Sequence, residues 1–246
     1  MSKEVKKIDN NKKGKLDLLN INTSALTASL GGLVIPRLFY QLVVFVLDGS
    51  GSMTFAGMSG ESKGHEVDKA INQVINRLQK SKNKNSFDVN VWAYANECVE
   101  MLPTTEMGKI NFPISLNPTE FIEENNKTML EDTLNEVSIS VNSYLDLNNE
   151  KNAQALIIIL SDGAMHDQDE SVKVCNALKV NEKITISTVL FESKLWKEEY
   201  KDEALVFLKD NMEALANNSS LFTSTLDPEE IRKHMIKSIS TVSKID

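Results

Sequence analysis

Residues 43–52 read VVFVLDGSGS, and the rest of the chain is organised around them. The first five residues are apolar and rich in valine, which predicts a strand buried on both faces of a sheet. The glycines that follow allow a sharp turn, so Asp48, Ser50 and Ser52 can point one carboxylate and two hydroxyls at a single position. Such hard oxygen ligands suit Mg²⁺, Mn²⁺ or Ca²⁺ rather than zinc. The simpler alternative is a Gly/Ser turn in which Asp48 caps a helix.

The composition describes a globular protein without a nucleic-acid surface. Of 246 residues, 41% are hydrophobic and 25% are charged, as in ordinary soluble α/β domains. A net charge of −8 argues against binding to nucleic acid. Cys98 and Cys175 are the two cysteines, too few for a disulfide framework or a zinc cluster. We predict two buried thiols and a reducing, cytoplasmic location.

The beginning of the chain differs in character from the remainder. We predict a flexible N-terminal extension over residues 1–38 and one domain over residues 39–246. The lysine-rich start is not followed by the apolar core of a signal peptide. Glycine, proline and arginine interrupt the apolar stretch at residues 25–47, so we predict no membrane span.

Apolar periodicity alternates between strand and helix along the domain. Further strands are predicted over residues 87–93, 97–102, 155–160, 184–191 and 221–225. Helices are predicted over residues 67–78, 130–145, 172–178, 205–215 and 228–242, the last with Asp227 as its N-cap. Residues 103–125 are predicted to be a long loop with a short helix. This order predicts an α/β fold: a doubly wound, mostly parallel six-stranded sheet with one short antiparallel edge strand and helices on both faces.

Two carboxylates follow buried strands of this predicted sheet. Asp48 follows the first strand, and Asp162 follows the strand at residues 155–160. Ligands of doubly wound sheets bind beyond the carboxyl ends of the strands, so we expect both aspartates to lie at a binding site.

These residues resemble the metal-ion-dependent adhesion site of the von Willebrand factor A (VWA) domain. The resemblance rests on Asp48-x-Ser50-x-Ser52, on a hydroxyl in a later loop before a helix, here Thr128, and on Asp162 after the next buried strand. It covers roughly residues 42–245. Within the family, the chain looks most like bacterial intracellular members, such as those near tellurium-resistance systems.

The resemblance implies a ligand set and a way of binding. Ser50, Ser52 and Thr128 would ligate the ion directly, whereas Asp48 and Asp162 would act through water. Because hydroxyls are neutral, the ion keeps excess positive charge and an open coordination position, which a partner's Asp or Glu carboxylate can fill. We therefore predict a non-enzymatic, divalent-metal-dependent protein-binding module, a scaffold whose oligomeric state the sequence leaves open.

Several alternatives stay open at this point. The family has small residues before its threonine, whereas this chain has Asn126 and Lys127. Thr128 would on another interpretation only cap the following helix, and Thr119 is then the alternative hydroxyl ligand.

Two other functions compete with protein binding. The first is a metal-dependent hydrolase acting on phosphate esters, in which the two aspartates and a divalent ion would activate water. His166 is a separate candidate for a catalytic base, although no nucleophile partner for it is evident in the sequence. The second is a structural module whose ion only rigidifies its loops. We expect His65 and His234 to lie on helices and to face water.

Overall fold

The computed structural model describes residues 37, 39–163, 165–193 and 202–242. The predicted N-terminal extension lies almost entirely outside this set. The extension and its boundary with the domain therefore stay predictions.

The described residues form one sheet with helices packed on it. Its strands are β1 (Tyr40–Asp48), β2 (Phe87–Tyr94), β3 (Cys98–Glu106), β4 (Ala153–Ser161), β5 (Ile184–Phe191) and β6 (Phe222–Thr225). They lie in the order β3-β2-β1-β4-β5-β6. β3 is antiparallel to β2, and the other neighbouring strands are parallel. The predicted six-stranded, doubly wound fold is confirmed.

The helices cover both faces of this sheet, as predicted. They are α1 (Lys63–Gln79), α2 (Glu131–Leu147), α3 (Gln168–Lys179), α4 (Asp202–Leu215) and α5 (Pro228–Val242). β1 is one of the two central strands, and its side chains alternate between two apolar clusters. Val43, Phe45 and Leu47 pack with α1 and α5, whereas Val44 and Val46 pack with α2, α3 and α4. Because both faces of β1 are covered, it reads in the sequence as an uninterrupted apolar run.

The edge strand β3 is longer than predicted. It continues through Pro103 to Glu106, residues that the sequence had placed in a loop. Val91 pairs with Leu102 and Val89 pairs with Thr105, so Pro103 falls in an irregular part of the ladder. A proline lacks the N–H that a regular ladder needs, but an edge strand with a bulge tolerates it.

The last helix contains one confirmed and one wrong prediction. Asp227 caps α5, because its Oδ1 accepts a hydrogen bond of 2.9 Å from the backbone N–H of Glu229. His234 does not face water: it is buried, and its Nε2 lies 2.9 Å from Ser187 Oγ. Helical periodicity alone does not indicate that His234 is buried, because its ring contacts Ser187 of β5, which is distant in the sequence. Cys175 is buried as predicted, whereas Cys98 is only partly buried.

None of the helices in the described part of the chain is both long and apolar enough to cross a membrane.

Candidate metal centre

The centre is built where two neighbouring parallel strands end. Leu47 of β1 lies opposite Leu160 of β4, so the residues that follow them emerge side by side at the carboxyl edge of the sheet. Ser161 donates a hydrogen bond of 2.7 Å to Asp48 Oδ2, which links the two strand ends directly. Strand register thus brings together residues more than a hundred positions apart in the sequence.

A chain of hydrogen bonds joins four of the five predicted ligands. Oδ1 of Asp48 accepts a bond of 2.8 Å from the backbone N–H of Ser50. The hydroxyls of Ser50 and Ser52 lie 3.0 Å apart, and Ser52 donates a bond of 2.6 Å to Oδ1 of Asp162. The turn after β1 therefore brings its carboxylate and both hydroxyls to the Asp162 loop, as the sequence predicted.

Both carboxylates of the centre are removed from solvent. Asp48 is 0% exposed and Asp162 is 1% exposed. The pKa of Asp48 is raised to about 6, first by burial and then by the negative charge of Asp162. Burial also raises the pKa of Tyr94 well above its ordinary value, with the charge of Asp48 adding to the effect. Two adjacent buried carboxylates favour a bound cation, because a positive charge offsets both their desolvation and their repulsion.

A lysine that the sequence did not indicate supplies one such charge. The ammonium of Lys63 donates to Oδ2 of Asp162, and the lysine side chain is 2% exposed. Lys63 is the first residue of α1, directly after the N-cap Ser62. A lysine at the start of a helix normally reads as a solvated side chain, so the local sequence contains no signal for this contact.

The predicted Thr128 lies in a loop that is tied to both aspartate loops. The N–H of Gly51 donates a bond of 2.7 Å to the carbonyl of Asn125 on one side. On the other side, the N–H of Thr128 donates to Nδ1 of His166 at 3.1 Å, and the N–H of His166 donates to the Thr128 carbonyl at 2.9 Å. His166 thus holds the Thr128 backbone, a positioning role that the sequence did not reveal.

Thr128 does not cap α2. The helix begins three residues later, and its N-cap residue, Leu130, makes no side-chain capping bond. Instead, Oδ2 of Asp167 accepts bonds of 2.7 Å from the N–H groups of both Leu130 and Glu131. A carboxylate from another loop therefore satisfies the start of α2, where negative charge is also favoured by the helix dipole.

The alternative hydroxyl, Thr119, has a local partner in its own turn. Its Oγ1 donates a bond of 2.9 Å to Oδ1 of Asn117. This turn also packs closely on the loop after β1: a Cβ added to Gly49 would lie 2.7 Å from Ile122 Cγ1 and 3.0 Å from the Pro118 carbonyl oxygen. The close approach explains why a glycine follows Asp48.

The donor set fits a divalent cation. Carboxylate and hydroxyl oxygens converge with an ammonium group already against Asp162, so the pocket accommodates positive charge. Among the residues that the structure describes, no group of three or more His, Cys, Asp or Glu residues is placed to hold a metal ion. A metal at this centre would therefore need the serine hydroxyls as well as the carboxylates.

Comparison with known proteins identifies the class. The model of the von Willebrand factor type A domain family matches residues 43–227, and this chain belongs to that family. A search of curated proteins found no significant match.

Solved structures of the same fold are distant in sequence. Proximal thread matrix protein 1 from the mussel byssus matches with a TM-score of 0.57 and 13% identity over 85% of this chain and 47% of its own. The pilus adhesin SpaC from Lactobacillus rhamnosus GG matches with a TM-score of 0.62 and 11% identity over 86% of this chain and 31% of its own. Manganese-loaded TRAP from Plasmodium vivax gives a TM-score of 0.52 and 16% identity over 82% of this chain and 75% of its own. This chain thus spans less than half the length of the first two proteins, and all three show the fold.

Proposed function

We propose that this VWA domain is a protein-binding module that captures an Asp or Glu side chain of a partner protein through a divalent cation. The main supporting observation is the hydrogen-bonded chain from Asp48 through the two serines to Asp162, at the carboxyl edge of the sheet. VWA domains commonly mediate metal-dependent protein interactions, which supports the same assignment.

The chemistry of the centre suits this role. Ser50, Ser52 and Thr128 would hold the ion directly, and Asp48 and Asp162 would act through water. The ion would be Mg²⁺, Mn²⁺ or Ca²⁺, and neutral hydroxyl ligands would leave much of its positive charge uncompensated. An external carboxylate would then supply negative charge and fill the open coordination position. The manganese bound by the structurally similar TRAP supports a divalent ion here.

A surface for the partner lies beside the centre. Phe55 and Met58 follow Ser52 in the same loop, and each is 55% exposed. Large apolar side chains around a charged contact add buried area, and such residues are enriched in protein interfaces. We propose that they contribute to partner selectivity.

We propose binding without catalysis. His166, the residue considered as a catalytic base, uses its Nδ1 to accept the N–H of Thr128, so the ring already has a structural role. A bacterial intracellular scaffold in the cytoplasm stays our prediction for the biological setting.

Metal titration and partner capture test this function together. We expect calorimetry with Mn²⁺ to detect binding to the wild-type chain and to Asp146→Ala, an exposed acid on α2 that serves as the matched control. Asp48→Ala and the milder Ser50→Ala, which keeps both buried carboxylates, should bind much more weakly. A partner should be retained with Mg²⁺, released by chelator, and lost when its own Asp or Glu is replaced by the amide. Metal affinity unchanged in both site variants would overturn the proposal.

A further inference from the structure

The ammonium of Lys63 lies against Asp162, the carboxylate that a metal ion at this centre would contact through water. Asp162 is doubly engaged: its Oδ1 accepts from Ser52 at 2.6 Å, and its Oδ2 accepts from Lys63. The lysine and the aspartate are almost fully buried, so water screens their interaction little. This cation belongs to the protein chain itself, because it is the side chain of the first residue of α1.

The two carboxylates of the centre can neutralise one divalent ion, but not a divalent ion together with the Lys63 ammonium. Asp48 and Asp162 together contribute two negative charges when ionised, and Lys63 contributes one positive charge. A divalent ion beside a retained ammonium would place three positive charges in a buried volume, and like charges repel strongly where water is excluded. Metal and ammonium therefore compete for the same carboxylate.

The backbone of Lys63 is tied to the exposed loop that precedes α1. The N–H of Lys63 donates to the carbonyl of Phe55 at 2.9 Å, which ties the lysine backbone to the exposed segment after Ser52. Ser59 in that segment is held by Glu66, through bonds of 2.5 Å from both its N–H and its hydroxyl. A rearrangement of residues 55–62 would thus change where the ammonium lies.

We propose that Lys63 is a tethered cation that competes with the divalent ion, so that metal binds only when the ammonium leaves Asp162. This inference rests on the proposed function, because it concerns the same centre. It predicts a wild-type metal affinity that is held below what the oxygen ligands alone would give. It also predicts that movement of the loop at residues 55–62 accompanies metal binding.

The test compares two lysines of one helix. Lys63→Met, Lys63→Gln and Lys69→Met each remove one positive charge, but Lys69 is exposed and pairs with Glu61. We expect Mn²⁺ titrations of the full chain to show affinity at least about tenfold higher in both Lys63 variants and unchanged in Lys69→Met. We also expect Lys63→Met to melt at a lower temperature than wild type without metal, because it leaves Asp162 without its cation, and to gain more from Mn²⁺ than wild type does.

The outcomes separate this inference from the proposed function. If Lys63→Met does not fold without metal, Lys63→Gln carries the titration, since its amide can still donate to Asp162. Equal or weaker Mn²⁺ affinity in the Lys63 variants, with binding still much weakened by Asp48→Ala, would overturn competition by Lys63 and support the metal centre. If neither the wild type nor a Lys63 variant binds Mn²⁺, both proposals fail.

Discussion

Ser161 donates a hydrogen bond of 2.7 Å from its hydroxyl to Oδ2 of Asp48, and so joins the carboxyl ends of β4 and β1. Asp48 receives its second bond, at 2.8 Å, from the N–H of Ser50 in its own turn. One carboxylate therefore links the sheet to the loop that carries the two serine hydroxyls. A serine that is not itself a proposed ligand therefore helps to orient this carboxylate.

Replacement of Ser161 tests this link. We expect Ser161→Ala to lower the free energy of unfolding by about 1–3 kcal/mol, because a buried carboxylate loses a donor. Mn²⁺ affinity should fall as well, since Asp48 is then less firmly oriented. Urea unfolding and calorimetry measure the two effects, with the exposed Ser143→Ala as control. Wild-type values for both quantities in Ser161→Ala would contradict a positioning role.

The two candidate threonines can be separated by matched variants. We expect Thr128→Ala to weaken Mn²⁺ binding by about tenfold or more, as loss of a direct ligand would. Thr119→Ala should leave metal affinity near that of wild type, because the Thr119 hydroxyl donates to Asn117 within its own turn. Calorimetry decides between them. The reverse result, with Thr119→Ala as the weaker binder, would move the third hydroxyl ligand to residue 119.

Asp167 provides a test of how the Thr128 loop is held. Its carboxylate caps α2 by accepting from Leu130 and Glu131, so we expect Asp167→Ala to destabilise the domain by about 1–2 kcal/mol. Because the cap lies next to Thr128, Mn²⁺ affinity should decrease too. Chemical denaturation of this variant is compared with that of Asp169→Ala, an exposed acid in the first turn of α3. Equal stability of the two variants would refute the capping role.

We expect His234 to make the stability of the domain depend on pH. Burial lowers the pKa of its imidazole below the ordinary 6.5, and the charge of Lys237 acts in the same direction. The unfolded chain then takes up a proton near pH 6.5 that the folded domain does not bind. The contribution of His234 to the free energy of unfolding is therefore complete above about pH 6.5, and it is lost as the pH falls from there toward the lower pKa of the folded state.

The measurement is urea unfolding of wild type, His234→Asn and the control His65→Asn, which replaces a half-exposed histidine. Between about pH 7.5 and about pH 5.5 we expect wild type and His65→Asn to lose more free energy of unfolding than His234→Asn does. Parallel pH profiles for all three proteins would show that His234 does not titrate differently on folding.

Much of the fold was readable from local patterns. The uninterrupted apolar runs of β1 and β4 predict central parallel strands, because each is covered by helices on both faces. In the two segments of chain between β1 and β4, apolar residues at helical spacing predict α1 and α2. The extension of β3 through Pro103 was missed, since the bulge that tolerates the proline depends on pairing with β2 and leaves no local signature.

The turn after β1 could also be predicted from the local sequence, whereas the residues packed around it could not. Asp48, Ser50 and Ser52 are spaced by the chain itself, so their convergence follows from one turn. Lys63 and Ser161 gave no signal, because a lysine at a helix start and a serine after an apolar strand each read as ordinary residues. Their roles appear only when strand order places them against the two aspartates.

The sequence by itself determined the order of strands and helices and the oxygen-rich turn after β1, because both arise from periodicity and spacing between near neighbours. Only the tertiary structure decided that Lys63 contacts Asp162, that Asp167 caps α2 and that His234 is buried. Those contacts join residues that are far apart in the chain. They depend on strand register and helix packing, which act through space and not along the sequence.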